Sequence, residues 1–76
     1  MKELLEYMVK SLVDSPDNVS IDEIAGEKTI IYELRVGEGD LGKVIGKEGR
    51  MAKAIRTILT AASMKKGKRA QLEIIE

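Results

Sequence analysis

The sequence predicts an α+β fold of order α-β-β-α-α-β, with a three-stranded mixed sheet and its helices packed on one face. Three observations carry this. Apolar residues recur at helical spacing over residues 2–13 and again over about 50–64. Residues 29–36 alternate apolar and polar side chains, as a strand with one buried face requires. A strand followed by two helices and a further strand implies a right-handed crossover between parallel neighbours. With 76 residues the chain reads as one domain, 1–76, near the lower limit for a self-sufficient core. Its 43% hydrophobic and 34% charged residues place it with folded domains rather than disordered tails.

Each element has its own warrant. Leu4, Leu5, Met8, Val9, Leu12 and Val13 form the apolar stripe of the first helix, and Pro16 ends it by forcing Ser15 out of the helical region. Val19 and Ile21 alternate as in a strand, with Ile24 out of phase, which a bulge or change of face near Asp22 would explain. The stretch 25–28 is a turn, so this strand and the next, with Ile30, Tyr32, Leu34 and Val36 in phase, form a hairpin. Asp40 suits a helix N-cap, Leu41 to Ile45 make a short helix, and the long helix runs from about Arg50 to Met64 or Lys66, where Gly67 stops it. Residues 71–75 close the order as a strand, with Leu72 and Ile74 in phase.

Composition removes whole classes of function. Cysteine and histidine are both absent, so there is no disulfide, no thiolate metal site, and none of the commonest general base and metal ligand. No Ser, Thr or Tyr sits in a pattern suggesting an activated nucleophile, and no enzyme, cofactor, metal or small-molecule substrate is expected. Residues 37–42 match G-x-G-x-x-G, but the acidic residue a dinucleotide site needs about 20 positions on is missing. Residues 37–43 nearly spell a P-loop, yet Val44 stands where a magnesium-binding hydroxyl belongs. The first helix carries Glu3 and Glu6, so neither a signal peptide nor a membrane span is expected, and the cytoplasm is the default location.

Charge is distributed unevenly. Net charge is zero, but residues 1–42 hold four Lys/Arg against ten Asp/Glu, and residues 43–76 hold nine against three. Between Lys43 and Arg69 the only acid is Glu48. This asymmetry centres on Val44-Ile45-Gly46-Lys47-Glu48-Gly49-Arg50, a G-x-x-G turn between two helices. Glycine lets the backbone approach a partner closely, and amides opening the following helix attract phosphate. The pattern reads as a clamp on a nucleic-acid backbone; the other reading is a glycine corner between two helices. Tyr7 and Tyr32 are the only aromatic residues, so base stacking on rings is disfavoured and bases would lie against aliphatic groups.

The order α-β-β-α-α-β with V-I-G-K-E-G-R between the helices resembles a type II KH domain, in which the G-x-x-G loop clamps about four nucleotides. More narrowly, residues 42–50, continuing Ala52-Lys53-Ala54-Ile55-Arg56-Thr57, are similar to the KhpA family of small bacterial single-KH proteins. The resemblance implies an apolar groove flanked by two helices and a sheet edge. It implies binding of single-stranded RNA as a chaperone, a complex with a KhpB-like KH protein, and a link to cell-shape and cell-wall homeostasis. The alternative is a protein-interaction module that keeps the fold without significant RNA binding. Ala52 departs from the broad KH pattern, which has an aliphatic residue there, so the groove floor should be shallower.

Residue by residue, Gly46 and Gly49 permit close approach, Lys47 and Arg50 contact phosphate, and Glu48 points to solvent. Val44 and Ile45 line the groove or belong to the core. Lys43, Lys53 and Arg56 extend the positive field, Arg56 equally fitting a solvated face. Lys65, Lys66, Lys68 and Arg69 are either a second phosphate contact or a cluster complementing the helix dipole. The apolar arc of the long helix is wider than one core-facing stripe needs. Ala54, Ile58 and Ala61 lie at its margin, where either the first helix covers them or a second copy packs in a two-fold homodimer, or in an equivalent heterodimer with a KH partner.

Overall fold

The computed structural model describes residues 1–75. Leu5 and Val9, one helical turn apart, are fully buried and set the face that α1 (Lys2–Leu12) turns inward. Val13 adopts extended backbone (φ −94°, ψ 159°), so the helix stops one residue before the apolar periodicity does. Pro16 opens a single 3-10 turn, Pro16–Asn18, where its fixed φ suits the first position.

β1 (Ser20–Ala25) pairs antiparallel with β2 (Thr29–Arg35) in unbroken register from Ser20 opposite Arg35 to Ala25 opposite Ile30. No bulge occurs at Asp22. Ile24 is simply on the other face of the sheet, opposite Ile31, and is 51% exposed. β2 is central: Ile30, Tyr32 and Leu34 alternate inward as the sequence indicates. α2 (Leu41–Ile45) and α3 (Arg50–Met64) follow, and β3 (Arg69–Ile75) returns parallel to β2, Thr29 opposite Arg69 through Arg35 opposite Ile75. β3 starts two residues before the apolar alternation because the Arg69 amide donates to the Lys28 carbonyl at 2.9 Å. The sheet order β1-β2-β3 with one antiparallel and one parallel pair is the mixed sheet of a type II KH domain.

One core joins all six elements: Leu5 and Val9 of α1, Ile21 of β1, Tyr32 and Leu34 of β2, Val44 of α2, Ile55 and Leu59 of α3, and Leu72 of β3. Each large apolar side chain so buried contributes roughly 1.5–3 kcal/mol. Tyr32 differs in kind. Its hydroxyl is buried with no hydrogen-bond partner among the described residues. Burial, reinforced by the Glu23 carboxylate on the adjacent strand, pushes its phenol up to about 12.

Candidate nucleic-acid interface

α2 is short and held at its head. Asp40 occupies the N-cap, but its side chain makes no cap hydrogen bond. The buried carboxylate instead accepts the amides of Asp14 (3.2 Å) and Ser15 (2.9 Å), tying the end of α1 to the start of α2. Burial alone would raise this carboxyl; the Ser15 and Asp14 amides and the Lys43 charge outweigh it and hold it below its ordinary value. Lys43 lies 3.0 Å from Asp14 and 3.7 Å from Asp40, and the Asp14 carboxylate above all raises its ammonium above its ordinary value. Lys43 was expected to extend the field toward RNA; here acids within the protein answer its charge.

The glycine turn follows directly. Gly46 has φ +76° and ψ 175°, a combination open to almost no residue but glycine. A Cβ there would stand 2.7 Å from that of Met51, so α3 itself requires this glycine. Lys47–Gly49 form one 3-10 turn with Glu48 at φ +57° and Gly49 at φ +74°. At Gly49 the place of a Cβ is open, with nothing within 4 Å. The turn therefore has an inward glycine and an outward one.

Its side chains divide the same way. Val44 is fully buried, which places it in the core and off the groove wall; Ile45 is half-buried beside the turn. Lys47, Glu48 and Arg50 are exposed. Glu48 points to solvent and sits 3.7 Å from Arg50, partly neutralising it. Lys47, Lys53 and Arg56 have no carboxylate partner within 4.0 Å among the described residues. Ala52, expected on the groove floor, is buried within the fold at 4% exposure.

β3 is an edge strand, and α3 packs beside it. Between them lies a depression of about 320 Å³ lined by Arg56, Leu59, Thr60, Ala70, Leu72 and Glu73. The Arg56 guanidinium reaches the Leu72 carbonyl at 3.5 Å. A shallower depression of about 400 Å³ shares Arg56 and Thr60 and continues over Lys53, Thr57, Ala61 and Met64. The two form one surface along α3, mixed in polarity and lined from α3 and β3, where the expected groove is apolar and flanked by two helices and a sheet edge.

Ala54, Ile58 and Ala61 are all exposed, Ile58 by 45%, so α1 does not cover that margin. Met51 extends the same stripe. Two groups escaped the sequence reading. One is the Asp14–Asp40–Lys43 staple, in which Asp40 and Lys43 reach back 25 or more residues to Asp14 and Ser15. The other is Ser63, buried in α3, whose hydroxyl donates to the Thr60 carbonyl (3.0 Å) and accepts the Ala70 amide (3.2 Å), fastening α3 to β3. No local pattern marks either. Among the described residues, no helix is long and apolar enough to cross a membrane.

Comparison with known proteins agrees with this fold. A family model described as "KhpA/KhpB, KH domain" matches residues 2–74. The chain is similar to the RNA-binding protein KhpA of Clostridium acetobutylicum, 59% identical over 75 residues, covering 99% of this chain and 100% of that one. It is similar to the RNA-binding protein KhpA of Aquifex aeolicus, 57% identical over 100% of this chain and 96% of that one. A third relative, the RNA-binding protein KhpA of Chlamydia trachomatis, is 54% identical over 100% of this chain and 97% of its own. No solved structure matches the chain significantly. With its fold, its glycine turn and its full-length relatives in agreement, the chain belongs to the KhpA/KhpB KH-domain family.

Proposed function

We propose that this protein is a non-catalytic RNA-binding domain that holds single-stranded RNA by its backbone at the 46–49 turn and receives the bases along the α3–β3 depression. One observation carries the reading: the open side of Gly49. It stands at φ +74° with no atom within 4 Å of a would-be Cβ, heads a 15-residue helix, and lies between Lys47 and Lys53, two cations with no carboxylate partner among the described residues. Helix-opening amides and these two charges suit phosphate. Gly46 and Gly49 shape the backbone, Lys47 and Arg50 contact phosphate with Glu48 tempering Arg50, Ile45 borders the bases, and Lys53 extends the field. The printed name of the relatives, RNA-binding protein, supports this.

The test changes Lys47 and Glu48 together to Asp, which sets two carboxylates against phosphate. RNA retardation in a gel should be lost while the thermal midpoint moves little, because both side chains are exposed. Unchanged binding would instead favour a protein-interaction module on the same fold. One domain with so few free cations should bind in the micromolar range or weaker, with a salt slope of about −0.7 per phosphate neutralised.

The exposed stripe Ala54, Ile58 and Ala61 supports assembly through α3, since small residues let a second helix approach closely. The assembly is a two-fold homodimer or an equivalent heterodimer with a KhpB-like KH protein, a partner suggested by the paired family description. Sedimentation equilibrium at tens of micromolar should give twice the 8.4 kDa chain mass, and Ile58→Asp should return it to one. Within this reading the protein acts in the cytoplasm as an RNA chaperone in cell-shape and cell-wall homeostasis.

A further inference from the structure

The cations of this chain fall into two groups. Lys10, Arg35, Lys43 and Arg50 each lie within 4 Å of a carboxylate. Among the described residues the other nine do not, and the fold gathers five of these, Lys28, Lys65, Lys66, Lys68 and Arg69, at one end. The Arg69 amide donates to the Lys28 carbonyl at 2.9 Å, and the Lys68 ammonium reaches the Gly26 carbonyl at 3.5 Å. The β1–β2 turn is thus drawn against the α3–β3 connection, some 40 residues away in sequence.

The connection is rigid. Gly67, at φ +72°, closes α3 in a Schellman motif: Lys68 N–H donates to the Ser63 carbonyl (3.1 Å) and Gly67 N–H to the Met64 carbonyl (3.0 Å). Ser63 anchors the same turn to β3. Cations at a helix C-terminus complement its dipole, which accounts for Lys65 and Lys66. It does not account for Lys28, which comes from a different turn.

We propose that this end is a second phosphate-binding surface and that one RNA strand runs from the glycine turn along α3 to reach it. The inference rests on the RNA-binding reading above. α3 is 15 residues long, so its ends are about 21 Å apart. A strand held both by a clamp on about four nucleotides at the glycine turn and by the far end of α3 therefore has to continue past the clamped segment. The depression from Lys53 to Met64 joins the two ends, and among the described residues no carboxylate lines it. Glu73 lies to one side, in the adjoining depression, and Glu27 is the acid beside Lys28 in the turn. A membrane surface is the less fitting partner. Among the described residues the large exposed apolar side chains nearest the cluster in sequence are Met64 and Ile24, on separate elements, and interfacial binding needs a whole apolar face.

The test measures affinity of the full chain for unstructured RNAs of about four and about twelve nucleotides. The longer RNA should bind at least tenfold tighter, with a salt slope steeper by about 0.7 for each added phosphate contact. Lys65→Glu/Lys66→Glu, and separately Lys28→Glu, should cut affinity for the longer RNA by roughly three- to tenfold and leave the shorter RNA unchanged. Lys28 lies outside any helix, so its variant keeps the test decisive if charge reversal at the end of α3 impairs folding, and it separates this surface from a second clamp in a dimer. If both variants hold the longer RNA as the parent does, the proposal is overturned. It is equally overturned if they lose binding only to phosphatidylserine-containing vesicles, which would assign the surface to a membrane. If neither RNA binds the parent and Lys47→Asp/Glu48→Asp changes nothing, the clamp reading itself has failed.

Discussion

Gly46 and Gly49 stand three residues apart in one turn, and the fold uses them in opposite directions. At Gly46 the missing side chain makes room for the protein's own helix, through Met51 at 2.7 Å from the would-be Cβ. At Gly49 it makes room for nothing the chain contains. The two glycines of this G-x-x-G motif therefore differ: the packing of α3 requires the first, and no packing within the chain requires the second. The flanks of α2 repeat the division: Asp40 and Lys43 bind the segment that follows α1, while Lys47, just beyond α2, has no carboxylate partner among the described residues.

The largest expected effect breaks the folding end. Gly46→Ala combines a backbone region nearly closed to alanine with overlap at Met51, costing ~3 kcal/mol and lowering the thermal midpoint by about 15 °C. A midpoint within a few degrees of the parent would mean that α3 can shift to admit a methyl group. Asp40→Asn should come next, lowering the midpoint near pH 7 by roughly 5–10 °C, since one of two buried amides then faces an amide donor instead of an oxygen. The sign with pH is fixed. The folded carboxyl is held below its ordinary 3.8, so its stabilisation is present above that value and lost as pH falls below it. Calorimetry at about pH 3 should therefore find the gap between variant and parent narrowed; an unchanged gap would deny the charge its role.

Gly49→Ala sharpens the comparison. A left-handed residue in open space should cost about 1–2 kcal/mol, or roughly 5–10 °C, while RNA affinity at 25 °C falls at least about tenfold. Equal loss of stability in the two glycine variants would erase the distinction drawn between them. The smallest effect belongs to Tyr32→Phe, because no hydrogen bond is forfeited; stability near pH 7 should change by less than about 0.5 kcal/mol. With the phenol raised from 10.0 to about 12, the parent keeps a contribution that is complete below pH 10 and lost as pH rises through about 12. Absorbance titration should show a phenolate transition near 12 that the variant lacks.

What could be read from the sequence was what local pattern encodes. The stripe of α1, the alternation of β2 and the glycine at the end of α3 are each set within a few neighbours, and they stand where expected, within one or two residues. Ile24 was misjudged because alternation says which residues share a face, not whether the second face is covered; that face is bare, so an apolar residue out of phase needed no bulge. Asp40 was placed correctly at the head of α2, but its hydrogen bonds go to amides 25 and 26 positions earlier, a fact of packing. Val44 and Ile45 could not be parted by composition; the turn of a five-residue helix buries one and leaves the other half-exposed. The exposure of Ala54, Ile58 and Ala61 depended on where α1 crosses, which no residue of α3 records.

The parallel pairing of β2 with β3 has a consequence for how the molecule comes into being. Thr29 meets Arg69, an offset of 40 residues held along the whole ladder. Closing so long a loop spends chain entropy before any pairing repays it, and such topologies fold more slowly than helical bundles of equal size. A nascent chain that has not yet reached residue 69 has only the β1–β2 hairpin, which is marginal by itself, and lacks the edge that walls one side of the α3 depression. During synthesis the glycine turn therefore emerges before β3 completes the sheet, and if the turn and the α3 depression bind RNA as proposed, refolding measured by binding should lag refolding measured by helix content.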